Sequence, residues 1–197
     1  MSQIFVIAGP PGVGKSTSGE KFIDAELEIL NEDEMAFKYR AQGYPDYKEH
    51  AIQRFTQAIR TKLISNDDIA LELNLGYQEH YDYILSAKKF RSDNRLHVVL
   101  FYTDDLDICL DRAKARFDNG RHFVKPKTIC EMYDNTLPLL QQYFDQIDTF
   151  YFVNVTQMGL SLVAFYDRLK NKLELIDSQC AWFFEQMHPF ILNKAAL

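Results

Sequence analysis

Short apolar runs alternate with longer stretches of helical periodicity along this 197-residue chain. Several of the apolar runs end at glycine or polar residues, which is typical of strands that are buried on both faces of a sheet. The pattern predicts strands at residues 4–8, 27–30, 68–75, 95–103 and 148–155, and the last of these is expected to be the final strand. Strands that alternate with helices predict an α/β fold, in which helices cover both faces of a parallel sheet.

Helical periodicity fills the intervals between these strands. In the third helix, apolar side chains at Ile52, Phe55, Ile59 and Leu63 recur every three to four residues and form one buried face. Asp104 resembles an N-cap for the helix that follows residues 95–103. Helices are predicted at 15–23, at 32–42, from 45 onward and at 77–92. Two more are predicted to end near 118 and near 144, and the last two are 158–176 and a short helix that carries 180–187. The C-terminal part, about 157–192, is therefore expected to be helical.

The chain is long enough for one domain with a sizeable core, and no linker, repeat or low-complexity stretch divides residues 1–197. Its net charge of −6 argues against bulk affinity for nucleic acid or anionic membranes. No apolar run approaches the ~18 residues that a membrane helix needs, and the first residues lack the basic leader of a signal peptide. The 3 cysteines are widely spaced and indicate neither a disulfide framework nor a zinc site, so we expect a cytoplasmic protein.

The segment GPPGVGKS lies between the first predicted strand and the first predicted helix. Its spacing of glycine, lysine and serine matches a phosphate-binding loop, whose backbone N–H groups converge on an anion. In such a loop the lysine reaches the β- and γ-phosphates and the serine hydroxyl reaches magnesium. The segment therefore predicts binding of a nucleoside triphosphate, with the contacts Gly9, Gly12, Val13, Gly14, Lys15, Ser16 and Thr17.

Phosphate-binding loops serve switches, motors and kinases, and the rest of the chain discriminates among them. A GTP switch needs a guanine-reading Asn-Lys-x-Asp, and the nearest segment, NKLE at residues 171–174, ends in the wrong acid. A motor ATPase needs an apolar strand that ends in a metal-positioning acid, and VVLFYTDD is a partial match. Helix capping is the simpler use of Asp104, so we favour a kinase and keep an NTP-hydrolysing switch or motor as the alternative.

Asp33, in the segment LNEDEMA, follows the second predicted strand, at the edge where a parallel sheet opens its ligand crevice. A carboxylate there can face the γ-phosphate, hold magnesium through water and accept the proton of an attacking hydroxyl. Asp33 is thus a candidate catalytic base and, with Ser16, a candidate magnesium-site residue. Simple capping of the next helix by Asn31 or Asp33 explains the same residues equally well.

A basic run between residues 112 and 127 contrasts with the acidic character of the whole protein. Its cations are Arg112, Lys114, Arg116, Arg121, Lys125 and Lys127. Arg112 and Arg116 are four residues apart and share a helix face, and guanidinium groups suit phosphate oxygens. The segment NGRHF can form a mobile lid that excludes water during phosphoryl transfer, and the alternative is a solvated basic face.

The segments GPPGVGKST, LNEDEMA, ALELNL and LHVVLFYTDDLDICLDRAKARFDNGRHFVKP together resemble the zeta-toxin family of P-loop kinases, over about residues 3–155. The resemblance implies a three-layer P-loop kinase-type fold, with a mostly parallel sheet flanked by helices and a basic lid. It also implies ATP and Mg²⁺ as cofactors and a hydroxyl of UDP-N-acetylglucosamine as the acceptor.

The resemblance assigns roles residue by residue. Asp33 matches the general base of the family, and Glu72 matches a substrate-side Glu that ends a strand. Lys15 and Ser16 match the phosphate and magnesium positions of the family. Arg112 and Arg116 match its lid-helix arginines, and Gly120 and His122 match its lid turn. Arg121 replaces the second Gly of the family's Gly-Gly-His turn, and Leu73 stands where a Thr commonly follows the substrate-side Glu. The helix after the lid reads CEMYDN where the family often has an Arg, so Arg121 is a candidate for that catalytic charge.

Three further residues complete the predicted site. Asn154 and Thr156 follow the last predicted strand, where related kinases often contact the adenine, and Tyr77 is a candidate for the acceptor pocket. The sequence thus predicts an ATP-dependent kinase that acts on a hydroxyl of a small molecule, a nucleotide sugar being one candidate. An ATP-binding protein without catalysis is the second alternative. The resemblance allows an antitoxin partner, but no residue pattern indicates one, and the oligomeric state is open.

Overall fold

The computed structural model describes residues 1–121 and 123–195, and within them it forms one sheet with the strand order β2-β3-β1-β4-β5-β6-β7. The strands are β1 (Gln3–Ala8), β2 (Ile29–Leu30), β3 (Ile69–Glu72), β4 (Arg95–Tyr102), β5 (Thr149–Thr156), β6 (Gly159–Asp167) and β7 (Lys172–Leu175). The strands β1 to β5 pair in parallel, whereas β6 and β7 are antiparallel additions at one edge. The sheet is therefore mostly parallel, as the sequence predicts.

Helices connect the parallel strands, and a further helix follows β7. They are α1 (Lys15–Ser18), α2 (Glu32–Ala41), α3 (Tyr47–Ser65), α4 (Gln78–Lys89), α5 (Leu106–Asp118), α6 (Pro126–Tyr143) and α7 (His188–Ala195). A 3₁₀ turn at Gly19–Phe22 extends α1, and a π-helical turn at Phe183–Met187 precedes α7. In the described part of the chain, no helix combines the length and the apolar character needed to cross a membrane.

The sheet separates two apolar cores, because successive side chains of a strand point to opposite faces. Val98 and Leu100 of β4 belong to one core, which contains α3, α4, much of α6 and the C-terminal turn around Trp182. Val99 and Phe101 belong to the other core, against the phosphate loop and α5. The two helical layers around the sheet confirm the predicted three-layer architecture.

The prediction of a helix at residues 158–176 is wrong, because β6 and β7 form an antiparallel hairpin there. The apolar residues of this stretch fit a helical period by chance, and pairing of β6 along the whole of β5 decides its conformation. Consequently 148–155 is not the final strand. The expectation of helix holds only for the last part of the chain, from Ala181 onward.

The structure shows which residues cap α2 and α5. Asn31 caps α2, because its Oδ1 accepts a hydrogen bond from the Glu34 N–H at 3.1 Å. Asp33 is thus not the cap of α2. The predicted cap of α5 is off by one residue: Asp105, rather than Asp104, accepts from the Asp107 N–H at 3.0 Å.

Candidate functional site

The phosphate loop occupies residues 9–16, between β1 and α1, at the carboxyl edge of the sheet. Gly12 has a φ of 85°, and a Cβ atom there would lie 2.1 Å from the backbone oxygen of Cys109 in α5. Only glycine therefore allows the loop to pack this closely against α5. Within the loop, the Val13 N–H donates to Pro10 O at 3.3 Å and the Thr17 N–H donates to Gly14 O at 3.2 Å. These bonds brace the loop. The predicted contacts of Val13 and Thr17 with a nucleotide stay predictions.

Lys15 is the first residue of α1 and is only 5% exposed. Its Nζ donates to the backbone oxygens of Gly9 at 2.7 Å and Pro10 at 3.1 Å, and to Asn74 Oδ1 at 2.8 Å. Burial lowers the pKa of Lys15 from its ordinary value of 10.5 to about 8, although the nearby Glu72 carboxylate opposes this shift. The lysine is thus held in place before any phosphate arrives.

A side-chain hydrogen bond joins Ser16, in α1, to Glu72, the last residue of β3. The Ser16 hydroxyl donates to Glu72 Oε1 at 2.8 Å, and the register of the sheet pairs Ile7 with Glu72. Because the proton of the hydroxyl points at Glu72, the lone pairs of Ser16 Oγ face away from that bond. Glu72 therefore contacts the predicted magnesium residue, a role that differs from its predicted contact with the substrate.

The chemistry of this donor set fits magnesium. Mg²⁺ is usually bound by one or two protein oxygens together with substrate phosphates and water. The Ser16 hydroxyl and the Asp33 carboxylate face one cavity and provide oxygen donors of this kind. Among residues 1–121 and 123–195, no cluster of three or more His, Cys, Asp or Glu side chains could hold a metal ion by itself.

The predicted catalytic residues come from four separate segments and meet at one cavity of about 250 Å³. The side chains that the sequence singles out and that line it are Lys15, Ser16, Asp33, Glu72, Arg116 and Arg121. Acidic groups from β3 and α2 therefore face cationic groups from α1 and the lid across a shared space. This arrangement can hold a polyphosphate on its cationic side and a hydroxyl group near Asp33.

The lid arginines divide into two roles. Arg112 donates from its guanidinium to Val13 O at 3.2 Å and to Thr156 O at 3.1 Å, so it ties α5 to the phosphate loop and to β5. Arg116 lines the catalytic cavity and also an adjoining space of about 460 Å³ beside Gly12 and Gly14. That adjoining space lies along the outer side of the phosphate loop, where the rest of a nucleotide could extend.

Arg121 reaches the cavity from the segment between α5 and α6 and stacks on α2. Its guanidinium carbon lies 5.3 Å from the centre of the Phe37 ring, which is a cation–π geometry. The lid and α2 are thus in contact above the cavity. His122, which the resemblance matches to the lid turn, lies outside the described residues.

The three weaker candidates lie at the margin of the site. Asn154 and Thr156 belong to β5 rather than following it, and Asn154 Oδ1 accepts from Trp182 Nε1 at 3.0 Å. Tyr77 precedes α4, and its hydroxyl donates to Glu131 Oε2 at 3.3 Å. It does not line the catalytic cavity. Their roles toward adenine and acceptor stay predictions.

Sequence reasoning missed several residues of the cavity. Asn74, which contacts Lys15, follows β3 at the carboxyl edge of the sheet, and that position is the signal that could have found it. Phe37 shares a helix face with Asp33, four residues along α2. Thr128 and Met132 line the cavity from α6, and no motif points to them.

Comparisons with known proteins bear on the fold. No protein-family model matches the chain, and no curated protein matches it. A chain of the AvrRxo1-ORF1:AvrRxo1-ORF2 complex, crystallised with sulphate ions, has a TM-score of 0.70 at 11% identity, over 96% of this chain and 64% of that one. A chain of the PezAT chromosomal toxin–antitoxin system of Streptococcus pneumoniae has a TM-score of 0.58 at 13% identity, over 100% and 87%. A candidate kinase from Chloroflexus aurantiacus has a TM-score of 0.51 at 18% identity, over 66% and 75%.

These similarities concern architecture, since the identities are between 11% and 18%. The present chain spans 64% of the AvrRxo1 complex chain, less than two thirds of its length. The sheet order, the phosphate loop and the helices on both faces agree with the expected fold class. The chain therefore has the fold of the zeta-toxin-like P-loop kinases.

Proposed function

We propose that residues 1–197 act as one kinase domain, which uses ATP and Mg²⁺ to phosphorylate a hydroxyl group of a small molecule. The observation that carries this proposal is the single cavity in which Lys15, Ser16, Asp33, Arg116 and Arg121 meet. Phosphoryl transfer to an alcohol requires two parts: cationic groups that hold the phosphates, and a carboxylate on the opposite side of the cavity.

Each side chain has a distinct task in this proposal. Lys15 holds the β- and γ-phosphates, and Arg116 and Arg121 neutralise the charge on the transferring group as the lid closes. Asp33 accepts the acceptor's proton while the hydroxyl oxygen bonds to the γ-phosphorus and the bond to the β–γ bridging oxygen breaks, which leaves ADP. Magnesium, when bound, shields the phosphate charges.

Glu72 has a positioning role in this scheme. By accepting the Ser16 proton at 2.8 Å, Glu72 keeps that proton away from the free lone pairs of Ser16 Oγ, which would hold magnesium. This bond favours a role for Glu72 in positioning the metal ligand Ser16, rather than in contacting the acceptor.

The switch and motor alternatives are weaker because their candidate residues lie away from the catalytic cavity. Asp104, the candidate metal-positioning acid of the partial motor motif, is exposed and does not line that cavity, although it is Asp105 and not Asp104 that caps α5. The segment Asn171–Glu174 leads into β7, at the far edge of the sheet from the phosphate loop. We further propose the cytoplasm as the site of action, on the basis of the wide spacing of the 3 cysteines in the sequence.

A screen of metabolites with γ-labelled ATP tests the proposal. We expect a phosphorylated small molecule that requires Mg²⁺ and that is lost in Lys15→Ala. Labelled inorganic phosphate without another labelled product would instead indicate hydrolysis, and ATP binding without turnover would indicate a non-catalytic protein. The resemblance to zeta toxins makes UDP-N-acetylglucosamine the first acceptor to test, and the likeness to a chain of a toxin–antitoxin system supports a search for an inhibitory protein partner.

A further inference from the structure

A second cavity, of about 210 Å³, lies between α2 and α3 beside the catalytic cavity. Asp33 and Phe37 line both cavities, so the proposed catalytic base borders both spaces. The residues of this α2–α3 cavity that matter here are Glu32, Asp33, Phe37, Arg40, Tyr47 and Lys48. Arg40, Tyr47 and Lys48 have no task in the phosphate site.

The positions of the lining residues along α2 give the length of this cavity. Asp33, Phe37 and Arg40 are related by four and seven residues, so all three side chains leave the same face of α2. A rise of 1.5 Å per residue separates the backbone positions of Asp33 and Arg40 by about 10 Å. A molecule with a hydroxyl at Asp33 can therefore extend along α2 toward Arg40.

The α2–α3 cavity is electrically polarised. Its acidic end carries Glu32 and Asp33, and its basic end carries Arg40 from α2 and Lys48 from α3. In the part of the chain that the structure describes, the side chains of Arg40 and Lys48 make no hydrogen bond and no ion pair. Lys48 also lies in the first turn of α3, where a cation opposes the helix dipole, so helix stability does not explain its position.

We propose that the phosphoryl acceptor binds in the α2–α3 cavity, with its hydroxyl at Asp33 and an anionic group, phosphate or carboxylate, held by Arg40 and Lys48. The polarity of the cavity sets the orientation, because Glu32 and Asp33 repel the anionic group from the end where the hydroxyl must react. Phe37 and Tyr47 provide aromatic surface for the carbon skeleton between the two ends. This inference rests on the proposed kinase function and adds to it the charge and length of the acceptor.

Equilibrium binding tests the inference without requiring turnover. The phosphate loop is first filled with a non-hydrolysable ATP analogue and Mg²⁺, so that added anions cannot bind there. Glucose, gluconate and glucose 6-phosphate are then titrated calorimetrically, which compares no anion, a carboxylate and a phosphate on a similar skeleton. We expect at least one of the two anionic probes to bind ten-fold or more tighter than glucose.

Variants locate the binding. The double variant Arg40→Ala/Lys48→Ala should abolish the preference for the anionic probes, while the affinity for the ATP analogue and the unfolding midpoint stay unchanged. Arg54→Ala is the matched control, because it removes an exposed cation of α3 that does not line the cavity. Equal binding of the three probes, no binding of any, or an anion preference that survives the double variant would overturn the assignment.

The binding experiment and the ATP screen can fail independently of each other. Anion-selective binding that depends on Arg40 and Lys48, together with no phosphorylated product in the ATP screen, would retain the binding site and reject the kinase function. A phosphorylated product from a neutral alcohol, with no effect of the double variant on its KM, would retain the kinase and reject the anionic acceptor.

Discussion

The buried position of Lys15 leads to a prediction about the pH dependence of ATP binding. Lowering its pKa from 10.5 to about 8 corresponds to about 3 kcal/mol in favour of the neutral amine, since one pKa unit is worth about 1.4 kcal/mol. The cause of the lowered pKa is desolvation of the ammonium group, which the nearby Glu72 carboxylate offsets only in part.

The sign of the effect follows from the protonation states. Below pH 8, Lys15 of the empty protein is already charged, and an ATP analogue binds without proton uptake. Above pH 8, Lys15 of the empty protein is neutral, and the phosphates must restore its charge by taking up a proton. The affinity for a non-hydrolysable ATP analogue with Mg²⁺ should therefore be flat from pH 7 to about 7.5 and then fall toward ten-fold per pH unit above 8.

Calorimetric titration at pH 7.5 and 9.0, in buffers of different ionisation enthalpy, measures both the affinity and the protons taken up. With a pKa of about 8, proton uptake should rise from about a quarter of a proton per site at pH 7.5 to about nine tenths at pH 9.0. Lys15→Arg is the control, because a guanidinium stays charged throughout this range, so its affinity should be independent of pH whatever its absolute value. A parent protein whose affinity stays constant to pH 9.5 without proton uptake would refute the claim that burial lowers the pKa of Lys15 in the empty protein to about 8.

Three further predictions concern other parts of the site. Arg116→Ala should slow single-turnover transfer by about 100-fold or more and change ATP affinity far less, because its contact strengthens in the transition state; a change in ATP affinity alone would make it a ground-state binder. Glu72→Gln should raise the Mg²⁺ concentration needed for half-maximal transfer by about 10-fold, because the hydroxyl of Ser16 loses a charged acceptor, and an unchanged requirement would contradict its supporting role. Gly12→Ala should lower the free energy of unfolding by more than Gly43→Ala does, as measured in urea, because both have positive φ but only the Cβ at residue 12 meets a backbone oxygen, and equal losses would show that the clash is relieved.

The phosphate loop and the parallel strands could be predicted from the sequence because their signals are local. The segment GPPGVGKS carries its own turn geometry, and the apolar run of β4 is long enough to identify a buried strand. The strands β6 and β7 are not predicted, because their apolar residues also fit a helical period. Pairing of β6 with β5, across a turn of only two residues, decides the conformation instead.

In the site, short motifs in the sequence identify some residues, whereas only the fold brings the others into place. Lys15, Ser16 and Asp33 belong to short motifs, so their residue types and positions already indicate their chemistry. Asn74 is an ordinary polar residue after a strand until the fold brings it within 2.8 Å of Lys15 Nζ. The α2–α3 cavity is likewise invisible in the sequence, because it depends on how two neighbouring helices pack and on which of their cations face the same space.

The reaction itself is tested most directly by Asp33→Asn, with ATP affinity and single-turnover phosphoryl transfer measured on the same purified variant and the acceptor found by the ATP screen. Asn31 caps α2, so the substitution leaves the cap intact, and the amide keeps the size of the carboxylate. The kinase account predicts near-normal ATP affinity and a loss of transfer of about 100- to 10,000-fold, the usual worth of a general base. Transfer within a few-fold of the parent would contradict the role of Asp33 as the base and, with it, the central argument for a kinase.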